Sequence, residues 1–362
     1  MKKGYAIILI ALWGTLTMFA WLGPSRETSE AERRPLAQAP EWKVEALLDG
    51  TYMEEFEEYT LDQFPFRDGF RRLKARFHYD VLRQKDNNGI YLAEGYAVKQ
   101  EYPLNEASVE HFLERMDHLY EKYLTGSSVA MAIVPDKGYY LAEEAGQLYL
   151  NYDALKTRIA QGMPWAVQID LTDSLSAGDY YRTDTHWRQE RLFAAAGKLA
   201  EGLGVAAPKE EDYTKVPLER PFYGVYYGQA ALPMEAETLY MLESDLLREC
   251  SVYDYETGQT GGIYDLQKGM GDRDPYDVYL SGARSLLTIE NPRAKGDREL
   301  IVFRDSFGSS MVPLLVEGYR KVTLVDVRYI RVDVLDQFLE FQGQDVLMLY
   351  STLVLNQSKA IQ

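Results

Sequence analysis

Asp184, His186 and Ser306 have the residue types of a nucleophilic catalytic triad. The chain contains only four histidines, and His186 is the one with a carboxylate two residues before it and an indole directly after it. If residues 180–187 are extended, alternate side chains share a face, so Arg182, Asp184 and His186 point the same way. A carboxylate at this spacing fixes the tautomer of an imidazole and prepares it as a general base for a nucleophile.

Ser306 is the predicted nucleophile because of the elements around it. Residues 299–303 (ELIVF) predict a buried strand, residues 304–310 a polar turn, and residues 311–319 a helix. A serine in such a turn lies at the carboxyl end of a strand, beside the unpaired N–H groups of a helix N-terminus, which favour developing negative charge. We therefore expect the backbone N–H groups of Ser306 and Phe307 to form an oxyanion hole.

Simpler interpretations of the same residues stay open at this stage. An Asp-x-His pair is short and occurs often by chance, and Asp305 and Ser306 suit plain helix capping. Ser309 and Ser310 are rival nucleophiles, although both lie further into the predicted helix. The Asp184–His186 pair and the Ser306 turn together favour the catalytic interpretation more than either feature does alone.

Strand and helix patterns alternate in the part of the chain that contains these residues. Predicted strands cover residues 129–134, 166–171, 299–303, 322–327 and 345–350, and predicted helices cover residues 153–159, 188–203, 311–319 and 332–341. This alternation predicts an α/β fold with a mainly parallel sheet of about five strands and helices on both faces. Ligands bind at the carboxyl ends of such strands, where Ser306 falls. Residues 231–295 are acidic and weakly periodic, so we interpret them as an insertion that rims the site.

The N-terminus predicts an extracytoplasmic protein. Lys2 and Lys3 precede an uncharged apolar run over residues 5–22, which is near the shortest length that spans a bilayer. The lysines favour a cytoplasmic N-terminus, and no small-x-small cleavage site follows closely. We therefore predict an uncleaved membrane anchor at residues 1–22, a linker at 23–44 and an extracytoplasmic catalytic domain at 45–362. A cleaved signal peptide is the alternative. Apolar residues at helical spacing over residues 45–83 predict two amphipathic helices broken near Pro65.

Composition narrows the classes of partner and cofactor. The net charge of −17 argues against a nucleic-acid partner, because phosphates need a basic surface, and it gives no sign of attraction to anionic lipid. The single cysteine, Cys250, excludes an internal disulfide. The sequence has neither metal-ligand spacing nor a phosphate-binding loop, so we predict no metal and no cofactor.

Several motifs resemble the DHHW family of exported proteins from Gram-positive bacteria, which is related to the alginate O-acetyltransferases AlgJ and AlgX. The Asp-x-His-Trp motif at residues 184–187 and the Asp-Ser-Phe-Gly motif at residues 305–308 are the most specific. Supporting segments are Glu30, Arg33 and residues 35–37, 56–59, 62–67, 88–92, 134–137, 181–183, 222–224 and 326–329. The resemblance covers most of the chain after the apolar N-terminal run.

This resemblance implies an SGNH-hydrolase-like fold in which Asp184, His186 and Ser306 form the triad. It also implies transfer of acetyl groups onto a polysaccharide, with a membrane-bound acyltransferase as the partner that delivers them. An acetyl esterase with the same triad and a non-catalytic polysaccharide-binding or assembly protein are the alternatives.

Trp187, Arg182 and Tyr226 are the candidate substrate-lining residues. The indole of Trp187 would stack on a sugar ring, and Arg182 and Tyr226 would line the acceptor site. A core aromatic residue, a salt bridge and ordinary packing are the simpler interpretations of the same three residues.

Overall fold

The computed structural model describes residues 2–29, 31–271 and 274–362, apart from the side chains of Lys2, Lys3, Trp21 and Leu22. Glu30 of the family resemblance, Met1 of the predicted anchor and the two lysine side chains before the apolar run therefore lie outside the description. The chain divides into two compact units. One contains residues 1–88 and 227–234, and the other contains residues 89–226 and 235–362.

The first unit is mainly helical. Its elements are α1 (Lys2–Leu22), β1 (Thr28–Ser29), β2 (Arg34–Pro35), α2 (Val44–Asp49), α3 (Thr51–Asp62) and α4 (Arg67–Arg76), followed by a π-helical turn at Phe77–Val81. Gly50 separates α2 from α3 because its φ of 91° lies in the left-handed region, where glycine ends helices without a steric penalty. The break predicted near Pro65 falls between α3 and α4.

The predicted N-terminal segment is helical, as α1. Among the residues that the structure describes, no helix combines the length and the apolar character needed to cross a bilayer. The membrane anchor at residues 1–22 stays a prediction. Within the predicted linker at residues 23–44, β1 pairs antiparallel with β2.

From residue 89 onward, strands and short helices alternate. They are β3 (Ile90–Ala93), β4 (Tyr96–Lys99), α5 (Glu106–Leu119), β5 (Val129–Val134), α6 (Gly138–Leu141), α7 (Tyr152–Gly162), β6 (Val167–Asp170), α8 (Phe193–Gly202), β7 (Thr214–Phe222), α9 (Val225–Ala230), β8 (Glu237–Glu243), α10 (Asp245–Glu249), β9 (Ser251–Asp254), β10 (Gln259–Gly261), α11 (Leu266–Gly269), β11 (Leu286–Glu290), β12 (Glu299–Arg304), α12 (Gly308–Met311), β13 (Lys321–Val325), β14 (Asp345–Ser351) and α13 (Thr352–Asn356).

An eight-stranded sheet organises the second unit, with the order β10-β9-β11-β13-β12-β14-β5-β6. The strands from β13 to β6 are parallel and correspond to the strands predicted from the sequence. The predicted number is nevertheless too low, because β9, β10 and β11 extend the sheet with antiparallel pairs. These strands belong to residues 231–295, which therefore form part of the sheet as well as its surroundings. The three exposed residues of β10 and the four residues of β9 give little sequence pattern to detect, whereas β11 (LLTIE) is a buried apolar strand that the weak periodicity of its surroundings hid.

Helices cover both faces of this sheet, as predicted. Along β12, Leu300 and Val302 join the core on the side of α8, whereas Ile301 and Phe303 join the core on the side of α5 and α7. Because successive strand residues point to opposite faces, a continuous apolar run such as ELIVF indicates a strand buried on both sides.

The helix predicted at residues 311–319 is shorter than expected. Helix α12 ends at Met311, and single 3-10 turns at Val312–Leu314 and Val316–Gly318 follow it. Pro313 lacks the N–H that a continuing α-helix needs, which accounts for the change. The helix predicted at residues 332–341 is likewise a 3-10 stretch at Val332–Gln337.

Candidate active site

Three neighbouring parallel strands end at the same edge of the sheet and bring polar residues together. Asp305 follows β12, and its Oδ2 accepts a 2.7 Å hydrogen bond from the backbone N–H of Ser351, at the end of β14. The Thr352 hydroxyl, one residue on, donates a 2.6 Å bond to Asp136, which follows β5. Ser306 therefore lies in a turn whose backbone is tied to the adjacent strand end.

Asp184, His186 and Ser306 form one hydrogen-bonded chain. The His186 Nδ1 and Asp184 Oδ1 atoms are 2.7 Å apart, and the His186 Nε2 and Ser306 Oγ atoms are 2.8 Å apart. Asp184 is completely buried, and His186 retains only a small exposed area. These distances match those of a nucleophile, a base and the carboxylate that orients the base.

Asp184 and His186 lie in a six-residue loop between Tyr180 and Trp187, so the extended conformation assumed for residues 180–187 is wrong. Tyr180 forms an isolated antiparallel bridge with Trp187, and the Tyr181 N–H donates to the His186 carbonyl at 3.1 Å. Within the turn, the His186 backbone N–H donates to Asp184 Oδ1 at 3.0 Å. This side-chain-to-backbone bond replaces the shared strand face as the reason for the contact.

The second oxygen of Asp184 is held from the far side of the loop. Its Oδ2 atom accepts a 2.8 Å hydrogen bond from the N–H of Val225. The preceding residue is Gly224, and a Cβ atom there would lie 2.3 Å from Asp184 Cα. Only glycine permits this close approach.

Glu237 also fixes this loop, although it lies in the segment that we interpreted as an insertion. Its buried carboxylate accepts hydrogen bonds from the Arg182 N–H at 2.9 Å, the Thr183 N–H at 2.8 Å and the Thr183 hydroxyl at 2.8 Å. The Arg188 guanidinium donates to it as well. Its sequence surroundings contain no motif that would have identified this role.

Tyr276, from the same segment, forms a platform under the imidazole. The two rings are nearly parallel, with 3.9 Å between centroids and 9° between planes. Burial raises the pKa of Tyr276 well above its ordinary value, so its hydroxyl stays protonated. That hydroxyl lies 2.7 Å from the Ser310 Oγ, which also accepts a 2.8 Å bond from the Trp187 indole N–H.

Lys137 places a buried amino group behind the loop. Its Nζ donates to the carbonyls of Tyr181 at 2.9 Å and Arg182 at 3.3 Å. Burial lowers the pKa of Lys137 to about 7, and the nearby carboxylates of Asp184 and Glu237 oppose that change. The residue lies in the 134–137 segment of the family resemblance, which gave no separate sign of its role.

The oxyanion hole differs from the prediction. The N–H of Phe307 donates a 3.0 Å hydrogen bond to Asp305 Oδ1, so it is not available to a substrate oxygen. The N–H of Ser306 donates to no protein acceptor within the described part of the chain. The buried Asp305 carboxylate is the physical reason for the difference, because it captures the nearest donor.

The predicted lining residues have different surroundings. Trp187 is fully buried and edge-on to Phe307, so the predicted stacking on a sugar ring is inconsistent with its position. Tyr226 is buried, and its hydroxyl donates to Thr185 at 3.1 Å. The Arg182 side chain remains 43% exposed and is the one of the three that reaches solvent.

The rival serines are enclosed. Ser309 is buried and its hydroxyl has no hydrogen-bond partner within the described residues, while the buried Ser310 hydroxyl is engaged by Trp187 and Tyr276. Ser306 is only partly buried and directly contacts His186. No cluster of three or more histidine, cysteine or acidic side chains suited to a metal occurs among the described residues.

The family model of the DHHW proteins matches residues 171–325. This range includes Asp184, His186 and Ser306, and the match confirms the resemblance that the motifs indicated. No curated protein sequence gives a significant match.

A solved DHHW family protein and PatB1 share this fold, and the AlgJ domain is a weaker match. A DHHW family protein from Eubacterium siraeum superposes with a TM-score of 0.61 and 21% identity, over 76% of this chain and 95% of that one. PatB1 of Bacillus cereus, with a sulfonyl adduct, has a TM-score of 0.56 and 16% identity, over 74% of this chain and 95% of that one. The O-acetyltransferase domain of Pseudomonas putida AlgJ has a TM-score of 0.46 and 13% identity, over 74% and 92% of the two chains.

Proposed function

We propose that this chain is an extracytoplasmic O-acetyltransferase that acts on a cell-surface or secreted polysaccharide through an SGNH-hydrolase-like Ser-His-Asp triad. The observation that carries the proposal is the continuous hydrogen-bonded chain from Asp184 through His186 to Ser306. The match to the DHHW family model supports the choice of substrate class, because the resemblance implies acetyl transfer to polysaccharide.

In the first half-reaction, His186 accepts the hydroxyl proton of Ser306 while the Ser306 Oγ attacks the acetyl carbonyl carbon. The tetrahedral intermediate collapses when the bond to the donor's leaving group breaks, and that group takes the proton from His186. The product is an acetyl ester on Ser306. The Ser306 N–H is the proposed donor to the oxyanion, and one such donor typically contributes about 3 kcal/mol.

In the second half-reaction, a sugar hydroxyl gives its proton to His186 and attacks the acetyl-enzyme. The ester bond to Ser306 breaks, and His186 returns the proton to the serine oxygen. Asp184 stabilises the imidazolium that forms in each half-reaction. The partly exposed Arg182 remains the proposed lining residue for the acceptor.

Mass spectrometry of the intact protein tests the acyl-enzyme. After incubation with an activated acetyl ester or an aryl sulfonyl fluoride, we expect one adduct on the unmodified chain and none on Ser306→Ala. The reagent class is suggested by PatB1, whose solved structure contains a sulfonyl adduct. Ser309→Ala is the matched control, because it also removes one hydroxyl and should keep the adduct. An unchanged adduct on Ser306→Ala contradicts the proposal.

An acetyl esterase with the same triad is the second candidate, because water and a sugar hydroxyl both reach an acetyl-enzyme by the same chemistry. Supplying an oligosaccharide acceptor with the activated ester separates the two. Acetylated sugar indicates a transferase, and acetate alone indicates an esterase. A non-catalytic polysaccharide-binding or assembly protein would form no adduct at all.

The location is also a proposal. We infer a membrane anchor at residues 1–22 with a cytoplasmic N-terminus, and a membrane-bound acyltransferase as the source of acetyl groups. The apolar run after Lys2 and Lys3 supports this topology. A reporter fused after Gln362 should report an exterior location on a full-length chain. A shortened soluble form recovered from the medium would count against the anchor.

A further inference from the structure

Helix α4 and the π-helical turn after it present large apolar side chains to solvent. Phe70, Leu73 and Phe77 are spaced three and four residues apart, which puts them on one face of the helix, while Phe66 directly precedes the helix and Val81 ends the π-helical turn. This apolar stripe consists of Phe66 (76% exposed), Phe70 (46%), Leu73 (64%), Phe77 (49%) and Val81 (62%).

The opposite side of α4 contacts the rest of the first unit through its arginines. The guanidinium groups of Arg67 and Arg71 form ion pairs with Glu32, and Ala75 on the same side is fully buried. A surface helix normally buries its apolar face and exposes its charged face. Here the charged side makes the internal contacts and the apolar side is left outward, which indicates an external apolar environment.

Cations flank the apolar stripe. At the angular spacing of an α-helix, Lys74 lies along one side of it, and Arg72 and Arg76 lie along the other. All three are exposed, and none has a carboxylate within ion-pairing distance in the part of the chain that the structure describes. This local positive charge contrasts with the net charge of −17 for the whole chain. A net charge sums over all residues, so it does not reveal such a cluster.

A groove of about 310 Å³ adjoins the stripe within the same unit. It is lined by Gly69, Arg72, Leu73, Arg76, Tyr227 and Pro233. The Arg72 guanidinium donates to the Tyr227 hydroxyl at 3.3 Å. Guanidinium groups beside apolar side chains suit a phosphate that continues into a hydrocarbon chain.

We propose that α4 lies on an anionic phospholipid bilayer, with the apolar stripe at the boundary of headgroups and acyl chains and with Arg72, Lys74 and Arg76 on lipid phosphates. A partly inserted helix meets phosphates on both of its sides, which matches cations on both sides of the stripe. The proposal depends neither on acetyl transfer nor on the anchor predicted at residues 1–22. The net charge of the whole chain gave no sign of such an attraction, because it does not show where the cations lie.

A fluorophore at position 73 of the full chain tests this contact. The label is an environment-sensitive dye on Leu73→Cys, in a Cys250→Ala background so that only one thiol reacts. The chain is reconstituted into phosphatidylcholine vesicles with or without phosphatidylglycerol, and nitroxide-labelled lipid serves as the quencher. Thr257→Cys, at an exposed turn of the second unit, is the matched control.

With phosphatidylglycerol present, we expect a blue shift and a loss of fluorescence to the quencher at position 73 and neither change at position 257. The triple variant Arg72→Gln, Lys74→Gln, Arg76→Gln should lose most of both effects, and high salt should weaken them. A label at position 73 that behaves like the one at position 257 overturns the proposal. So does a label that stays in water on both vesicles but is protected by added membrane proteins, because that outcome identifies a protein partner.

Discussion

Replacement of Asp184 by asparagine is the most direct test of the site geometry. Both carboxylate oxygens accept hydrogen bonds: Oδ1 accepts from the ring and backbone N–H groups of His186, and Oδ2 accepts from the Val225 N–H. Asparagine has one acceptor oxygen and one donor NH2 group in the same space. Whichever way it turns, the NH2 group faces a backbone N–H.

The two orientations share a stability cost and differ in catalysis. In both, a buried donor faces another donor, which costs about 1–3 kcal/mol of the free energy of unfolding. If the NH2 group faces His186, it also donates to Nδ1, so the ring proton moves to Nε2 and the imidazole no longer accepts from Ser306. An imidazole held in the wrong tautomer lowers the rate by up to about 10⁴-fold, or roughly 5 kcal/mol of transition-state stabilisation.

Hydrolysis of an activated acetyl ester and unfolding in urea measure the two effects separately. Asp173→Asn is the control, because Asp173 is exposed and the same substitution there should change neither quantity. A stable Asp184→Asn protein with a near-normal rate refutes the reasoning entirely. Lower stability with a normal rate would show that the amide oxygen faces His186 and keeps its tautomer, so that the negative charge of Asp184 contributes little to the rate.

The remaining predictions concern residues around the triad. Gly224→Ala should lower both rate and stability, because its Cβ would lie 2.3 Å from Asp184 Cα; an unchanged rate contradicts this contact. Tyr276→Phe should keep most activity, whereas Tyr276→Leu should lose ~30-fold, since a desolvated cation–π contact with protonated His186 contributes ~2 kcal/mol. Burial lowers the Lys137 pKa to about 7, so the unfolded chain binds more protons above that pH. Stability measured in urea should therefore rise from pH 7 towards 10, and this contribution should be absent in Lys137→Met.

Strands with continuous apolar runs were predictable from the sequence. The predicted strand at residues 129–134 has the bounds of β5, and the one at residues 345–350 differs from β14 by one residue. These strands are buried on both faces, so every position must be apolar and the signal is local. The strands β9 and β10 lie at the antiparallel end of the sheet, where little burial leaves little pattern.

The residue types of the proposed triad could be identified from the sequence, but the reason for their contact could not. Asp184 and His186 meet through a turn, and the expected extended segment is absent. Phe307 was expected to donate to an oxyanion, but its N–H is bonded to Asp305. In both cases an aspartate side chain accepts a hydrogen bond from a nearby backbone N–H group. Composition and spacing do not show which acceptor such an N–H group will bind.

The sequence by itself determined the alternation of strands and helices and the chemistry of His186 and Ser306. The reason is that the apolar pattern of a segment and the type of each side chain are local properties of the sequence. Only the tertiary structure decided that these two, 120 residues apart, lie 2.8 Å from each other. It also decided that Glu237 and Tyr276, from a segment without clear periodicity, support the loop and the imidazole ring. Contacts between distant segments arise from the order of strands in the sheet and the paths of the loops, and each depends on the packing of the whole unit.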